Sequence, residues 1–123
     1  MPNIVRTPSD LPFPFSKAVE AGGFVFLSGQ IPLDQDGRPM QGPIAGQTRN
    51  VLDRIEATLA QAGLDLTHVV RVTVWLSDLA LFADFNEAYR EYFKAPDLPA
   101  RSTVGARLAF DVDVEIEVTA FRG

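Results

Sequence analysis

The sequence ends in a stretch where acidic and apolar residues alternate without interruption, DVDVEIEV at residues 111–118. Because successive side chains of a β-strand point to opposite faces, a period of two predicts a strand with one apolar and one acidic face. Asp111, Asp113, Glu115 and Glu117 share the acidic face. The chain must therefore build a sheet that covers the apolar face, and one of the four carboxylates is a candidate for chemistry.

The composition limits the classes of site that the chain can build. We expect residues 1–123 to form a single domain, since this length suits one domain and is short for two. The absence of cysteine excludes disulfides, thiolate catalysis and zinc–thiolate sites. A single histidine, His68, excludes a multi-histidine metal site, and no phosphate loop or dinucleotide fingerprint is present.

Charge and hydropathy indicate the surroundings of the protein. A net charge of -5 disfavours binding to nucleic acid, whose phosphates are also negative. The amino-terminal residues lack the apolar run of a signal peptide, and no later stretch is long and apolar enough to span a membrane. We therefore expect a cytoplasmic protein with no membrane and no nucleic-acid partner.

The first half of the chain predicts a hairpin and a helix. The proline-rich residues 7–16 indicate an extended or looped segment. Short apolar runs around Gly22 and Gly23 predict a β-hairpin, because this dipeptide tolerates positive φ. The apolar stripe from about Ile44 or Gln47 to Ala62 has helical spacing, and Gly63 is a natural stop after it.

The second half predicts a strand, a helix and two further strands. Residues 68–77 are β-branched and aromatic, and residues 100–108 and 112–121 form the last two strands. Between them, aromatic residues recur at helical spacing from Phe82 to Phe93, after a cap at Ser77 or Asp78. The order β-β-α-β-α-β-β predicts an α+β fold, a mixed sheet with two helices on one face.

The last two strands predict an antiparallel hairpin with its turn near Ala109. In that arrangement Arg101 lies on the same face as Glu115 and Glu117, opposite one of them or on the adjacent diagonal. Two interpretations of Arg101 stay open at this point. Its guanidinium forms an ordinary ion pair with a neighbouring glutamate, or it binds a small carboxylate ligand through two parallel hydrogen bonds.

Glu115 also has a structural and a functional interpretation. Most acidic strand faces are merely hydrated, and this holds for at least three of the four carboxylates. A carboxylate beside an arginine stays ionised at neutral pH, and it can then orient a water molecule or accept its proton.

Three further positions are weaker candidates. Asn86 lies at the edge of the aromatic helix stripe, where it forms either a structural hydrogen bond or part of a site. Ser28 and Gly29 end a strand, where they form either a simple turn or the lining of a small pocket. His68 is expected to be structural or exposed, and both helix stripes are expected to be core.

The other face of the sheet predicts self-association. Residues 24–27, FVFL, are apolar on both sides of their strand, and residues 69–76 carry apolar side chains on both sides too. Two helices cover only one face of a sheet, so apolar area would remain in water, and such area usually marks an association surface. We expect a homo-oligomer that buries this face.

Several segments together resemble the Rid family of reactive-intermediate deaminases, also called the YjgF family. They are SGQIP at residues 28–32, FNEAY at 85–89, PARS at 99–102 and VEIE at 114–117, in family order along nearly the whole chain. The resemblance implies a chorismate-mutase-like α+β fold and a homotrimer with a central barrel and active sites between subunits. It also implies hydrolysis of reactive enamines and imines, such as 2-aminoacrylate, to 2-keto acids and ammonia, with no cofactor or metal.

The resemblance also assigns roles to individual residues. Arg101 matches the arginine that binds the substrate carboxylate, and Glu115 matches the glutamate that positions the attacking water. Ser28 and Gly29 match a loop that lines the cleft, and Asn86 matches an asparagine near it. The remaining lining positions are Phe15, where the family usually has tyrosine, and Thr103, where many members have cysteine.

Three departures from the family pattern bear on substrate range. Phe15 lacks the tyrosine hydroxyl, Lys17 replaces glutamine, and LAFDVD at residues 108–113 replaces a turn with proline and glycine. A bulkier or more apolar imino acid is therefore expected as substrate. The alternative function is a non-catalytic ligand-binding or regulatory trimer that uses the same cleft for a keto acid. Ribonuclease, a label that some relatives carry, is disfavoured by the negative net charge, and a metabolite isomerase rests on fold analogy alone.

Overall fold

The computed structural model describes residues 3–123, which form one six-stranded sheet and two α-helices. The helices are α1 (Ile44–Gln61) and α2 (Phe82–Tyr89). The strands are β1 (Ile4–Pro8), β2 (Ser16–Ala21), β3 (Phe24–Leu27), β4 (Val69–Leu76), β5 (Ala100–Gly105) and β6 (Val114–Phe121). Their order across the sheet is β1-β2-β3-β6-β4-β5. The predicted α+β class is confirmed, with one strand more than the sequence indicated.

Local signals placed the hairpin and the long helix correctly. Gly22 and Gly23 have φ of 60° and 83° and join β2 to β3, because both turn positions need the left-handed region. After α1, Gly63 adopts φ of 75°, and its N–H donates to the carbonyl of Ala60 at 3.0 Å. This left-handed glycine ends the helix within one residue of the predicted position.

The predicted hairpin of the last two strands is wrong. β5 pairs in parallel with β4, and β6 pairs antiparallel with both β4 and β3. Parallel neighbours need a crossover connection, and α2 with its flanking turns supplies it between β4 and β5. β6 therefore lies between β3 and β4, while β5 lies at the edge of the sheet, separated from β6 by β4.

The core lies between the two helices and one face of the sheet, which we call the helix face. The alternation along β6 puts Val114, Ile116 and Val118 on this face, where they are at most 2% exposed. The fully buried partners from the helices include Val51, Leu52, Ile55 and Leu59 of α1 and Phe85 of α2. The acid-and-apolar pattern thus fixes which side of β6 meets the helices.

Strand β1 was not predicted, but the proline-rich segment is extended at residues 7–8 and a loop over residues 9–15, as expected. Three other local expectations need correction. The acid-alternating stretch is not strand from its start, since residues 109–111 form a short turn in which Phe110 has φ of 62° and Asp111 has φ of 54°. A bulge between Val69 and Arg71 leaves Val70 44% exposed, and Phe82, expected in the core, is also 44% exposed.

The opposite face of the sheet, which we call the open face, is not covered by any element of residues 3–123. Phe24, Phe26 and Phe121 are 39–45% exposed there, and the ring centroids of Phe24 and Phe121 are 4.8 Å apart. Trp75 and Val104 lie farther along the same face, by their register. This is the apolar surface from which the sequence predicted self-association; the homotrimer itself stays a prediction.

Candidate active site

Arg101 lies on β5, and its side chain extends from the helix face of the sheet. It pairs with Val72 of β4, whose side chain is fully buried on that face. The Nη2 of Arg101 donates a 2.7 Å hydrogen bond to Oδ1 of Asn86 on α2. The expected proximity of Asn86 and Arg101 is therefore found within one chain.

Aromatic rings of α2 surround the same guanidinium. The Cζ atom of Arg101 lies 4.7 Å from the ring centroid of Tyr89, 5.4 Å from that of Phe85 and 5.7 Å from that of Phe82. These distances are typical of cation–π contacts, which hold a planar guanidinium in a fixed orientation. Arg101 is thus held in place by a hydrogen bond and by ring faces, and none of these groups neutralises its charge.

A pocket of about 240 Å³ lies beside Arg101, and we call it the Arg101 pocket. Its lining includes Asn86, Tyr89 and Leu98. The hydroxyls of Tyr89 and Thr103 are buried and have no hydrogen-bond partner within residues 3–123. Burial raises the pKa of Tyr89, although the positive charge of Arg101 opposes this. The unneutralised guanidinium beside this pocket is suited to an anionic ligand.

Glu115 occupies a different part of the molecule. It pairs with Trp75 on the open face of the sheet, and its half-buried carboxylate lies against the α-carbon of Gly29. A β-carbon on Gly29 would come within 3.1 Å of the Cδ atom of Glu115. A side chain at position 29 would therefore displace the Glu115 carboxylate, whereas the φ of Gly29 lies outside the left-handed region and does not itself require glycine.

The electrostatic surroundings of Glu115 also differ from the expectation. No ion pair links it to a cation in residues 3–123. Burial raises the pKa of the Glu115 carboxyl above its ordinary value, and the negative charge of Glu117 raises it further. The expectation that a neighbouring arginine would favour its ionised form is wrong for the single chain.

The two remaining predicted positions lie close to Gly29. The hydroxyl of Ser28 donates a 2.6 Å hydrogen bond to the carbonyl of Ser16, so it fixes the segment rather than pointing to a ligand. Phe15 is 43% exposed, and together with Gly29 it lines a second pocket of about 260 Å³ that Arg54 also lines. We call this second cavity the Arg54 pocket.

Within one chain the predicted site residues therefore form two separate groups. Arg101, Asn86 and Thr103 lie on or against the helix face at the β5 edge, whereas Glu115 lies on the open face with Gly29. The predicted contact between Arg101 and Glu115 across a hairpin is wrong, because β4 separates their strands and the side chains point to opposite faces.

Sequence reasoning assigned Phe85 and Tyr89 to the core and missed their contact with Arg101. The signal was available in the spacing, because Phe82, Phe85, Asn86 and Tyr89 are three or four residues apart and share one side of a helix. An asparagine within an aromatic helical stripe indicates a polar partner for that stripe. The partner, Arg101, follows from the parallel pairing of β4 and β5.

Residues 3–123 contain no group of three or more acidic or histidine side chains arranged to hold a metal ion. In the same residues, neither helix has the length and apolar character needed to cross a bilayer.

His68 accepts a hydrogen bond from the backbone N–H of Asp65 at 3.1 Å and caps a short turn, so its expected structural role is confirmed.

The fold and the Arg101 pocket define a class: small α+β proteins in which two helices cover one face of a six-stranded sheet and an arginine stands at the sheet edge. Residues 9–122 match the family model described as Endoribonuclease L-PSP. The chain belongs to this family, which is also called the YjgF or Rid family. The resemblance noted in the sequence is thereby confirmed.

Individual relatives agree with this assignment. A RutC family protein of Pyrococcus horikoshii is 47% identical, over 89% of this chain and 87% of the relative. The crystal structure of yeast Mmf1 is 36% identical with a TM-score of 0.88, and it covers 98% of this chain and 100% of that chain. The structure of E. coli TdcF with bound serine is 35% identical with a TM-score of 0.84, over 96% and 94% of the two chains.

Proposed function

We propose that this protein hydrolyses reactive 2-imino acids and their enamine tautomers to 2-keto acids and ammonia. The observation that carries the proposal is the fixed and unneutralised guanidinium of Arg101 beside its pocket. A guanidinium that has no acidic partner in the protein can bind the carboxylate of a ligand through two parallel hydrogen bonds. Family membership supports the reaction class, and the serine bound to TdcF is a small amino acid with the same carboxylate group.

We further propose that the active protein is a homotrimer whose sites lie between subunits. Arg101, Asn86 and Thr103 come from one subunit, and Glu115, Gly29 and Phe15 come from its neighbour. Two observations support this arrangement: the two groups point to opposite faces of one sheet, and the open face leaves Phe24, Phe26 and Phe121 in water.

The proposed mechanism uses only side chains and one water molecule. Arg101 binds the carboxylate and fixes the C=N bond of the iminium, whose carbon is already electrophilic. Glu115 of the neighbouring subunit orients a water molecule and accepts its proton as the C–O bond forms. Protonated Glu115 then returns this proton to the nitrogen of the carbinolamine. The C–N bond breaks as the hydroxyl loses its proton and C=O forms, and the nitrogen and this second proton leave as ammonium. Orientation and base assistance each contribute on the order of 10²-fold or more.

The surroundings of Glu115 suit a general base. A carboxylate that is half buried beside another negative charge has a raised pKa, and a raised pKa makes it a stronger proton acceptor while it is ionised. The proposal includes no metal and no cofactor, because water addition and ammonia loss are balanced without an oxidant or reductant. We propose that the protein acts in the cytoplasm, whereas the yeast relative MMF1 is named as a mitochondrial protein.

An assay of ammonia and keto acid released from an imine tests the proposal, with the imine made in situ by an amino-acid oxidase. The intact protein should accelerate the release above the spontaneous rate. Arg101→Ala should abolish the acceleration with the fold unchanged by circular dichroism. Arg49→Ala is the matched control, since Arg49 is an exposed arginine paired with Glu91 at 2.8 Å. Full activity of Arg101→Ala rejects the proposal.

The alternative is a non-catalytic trimer that binds keto acids in the same cleft. The observation in its favour is that one chain holds the Arg101 pocket but keeps Glu115 on the other face. Saturable keto-acid binding without acceleration of imine hydrolysis would select it.

RNA cleavage, which the family description names, is disfavoured by the net charge of -5, and salt-dependent RNA binding by the purified protein would revive it.

A further inference from the structure

The Arg54 pocket contains a cation with no acidic partner. Arg54 projects from α1 and is half buried, and its Nη1 donates a 2.8 Å hydrogen bond to the carbonyl of Ile31. No carboxylate of residues 3–123 lies within 4.0 Å of its nitrogen atoms. Burial lowers the pKa of Arg54, and Asp10 counteracts this only in part. A desolvated guanidinium is costly unless an anion accompanies it.

The second cation of the pocket is Lys17, one of the residues that depart from the family pattern. Its Nζ lies 3.6 Å from the carboxylate of Asp10 and 3.4 Å from Oε1 of Gln61. The side chain of Asp10 is 89% exposed, so this ion pair is well solvated and weak. Two cations against one exposed carboxylate leave the pocket positive, in a chain whose net charge is -5.

The dimensions and the walls of the pocket limit its ligand. Its volume of about 260 Å³ is below the roughly 300–1,000 Å³ of pockets that hold drug-sized molecules. Leu11, Ile31 and Leu33 supply an apolar wall beside the two cations. The pocket therefore suits a metabolite-sized molecule with an anionic head and a short apolar tail.

We infer that the Arg54 pocket binds a small organic anion, a carboxylate or phosphate monoester, whose head contacts Arg54 and Lys17 and whose tail contacts the leucines. This site adjoins the proposed active site, since Phe15 and Gly29 line both, but neither of its two cations belongs to the proposed catalytic residues. Arg54 belongs to α1 on the helix face, whereas Glu115 lies on the open-face side of Gly29. The inference does not depend on imine hydrolysis, since it rests on the cations and walls of this pocket alone.

Calorimetric titration of the intact protein tests the inference, in an Arg101→Gln background that removes the other carboxylate-binding arginine. Hexanoate and hexyl phosphate are the anionic probes, and hexanamide is the neutral probe of the same length. At least one anion should bind saturably and hexanamide should not, because only a charged head group offsets the desolvation cost of the half-buried Arg54 guanidinium. The stronger of the two anions then identifies the head group.

Substitution of the two cations localises the binding. In the same background, Arg54→Gln should weaken the anion about 10-fold or more, as expected for loss of a charged hydrogen bond. Lys17→Met should weaken it by a smaller factor, and this change of a partly exposed side chain keeps the test valid if Arg54→Gln unfolds. Arg49→Gln, on the same helix, is the control and should have no effect. Absence of saturable binding, or equal binding with both pocket cations replaced, overturns the inference.

Discussion

Asn86 on α2 and Arg101 on β5 are joined by a 2.7 Å hydrogen bond between Oδ1 and Nη2. The bond connects the crossover helix to the edge strand that follows it, so the topology of the sheet brings the two residues together. A neutral amide orients the guanidinium without cancelling its charge. Arg101 therefore keeps both its direction and its capacity to bind an anion.

The first prediction concerns this amide. Asn86→Asp should reduce kcat/KM far more than Asn86→Ala, because the aspartate pairs with Arg101 and neutralises it, whereas alanine only removes its orientation. Asn86→Ala should lose about 10-fold, mostly as a higher KM, in keeping with one hydrogen bond to a charged group. Steady-state imine hydrolysis measures both, and equal loss in the two variants contradicts the orienting role.

The second prediction concerns the pH dependence of the proposed base. The acidic limb of the kcat/KM profile should follow ionisation of Glu115, whose pKa is raised by burial and by Glu117. Glu117→Gln removes the second cause, so it should move this limb to lower pH while leaving the plateau rate nearly unchanged. Glu115→Gln should remove the limb and most of the activity. A limb that Glu117→Gln does not move would exclude Glu115 as its source.

Glu115 also gives a prediction for stability. Its pKa in the folded state is above that in the unfolded chain, so its favourable contribution is complete at low pH and is lost as pH rises through the folded-state pKa. Glu115→Gln should therefore be more stable than the parent at neutral pH, and the difference should shrink near about pH 4, around the unfolded pKa. Thermal unfolding at the two pH values measures this, and a destabilised variant at neutral pH contradicts it.

The fourth prediction uses two glycines with different surroundings. A β-carbon at Gly29 would meet the Glu115 carboxylate, so Gly29→Ala should displace that group and lower kcat. A β-carbon at Gly46, inside α1, would meet only Cε of Met40 at 3.6 Å, which is an ordinary contact. Gly46→Ala should therefore keep activity and raise the free energy of unfolding by about 0.5–1 kcal/mol. Equal activity of both variants would show that the Glu115 carboxylate is not needed where it lies.

The fifth prediction tests the open face. Phe26→Lys places a charge within the aromatic cluster, so it should lower the oligomeric state in sedimentation equilibrium and abolish hydrolysis together with it. Val5→Lys is the control, because Val5 is 53% exposed, no less than Phe26, but lies on the helix face. Its face follows from its pairing with Glu20, whose carboxylate binds Arg122 on that side of the sheet. Assembly and activity should persist in it. A Phe26→Lys protein that is monomeric and fully active refutes the shared site.

Substrate range also follows from exposed rings near the proposed cleft. Phe13, Phe15 and Phe110 are 43–53% exposed, and Phe13 lies 6.3 Å from Phe15 and 6.1 Å from Phe110 between ring centroids. Imino acids with bulky apolar side chains should therefore be hydrolysed faster than small ones, in a panel generated by an amino-acid oxidase. Phe15→Tyr should reduce the difference in rate between bulky and small imino acids. Equal rates across the panel remove this expectation.

The local signals of the sequence were sufficient for the elements that rely on neighbouring residues. The apolar stripe and Gly63 predicted α1 to within one residue, and Gly22 with Gly23 predicted the first hairpin. Strand β1 was missed because five exposed residues at a sheet edge carry no hydrophobic pattern. The left-handed turn at Phe110 was missed because that conformation normally needs glycine or asparagine.

What the sequence determined by itself was the kind of every element except β1, the buried side of β6, and the residue types able to bind a carboxylate and a water. These depend on periodicity and on chemistry within a few residues. The tertiary structure alone decided that β5 lies parallel to β4, that Asn86 positions Arg101, and that Glu115 faces the other side of the sheet. Strand neighbours are chosen by crossover connections and by burial across the whole chain, and no local pattern encodes that choice.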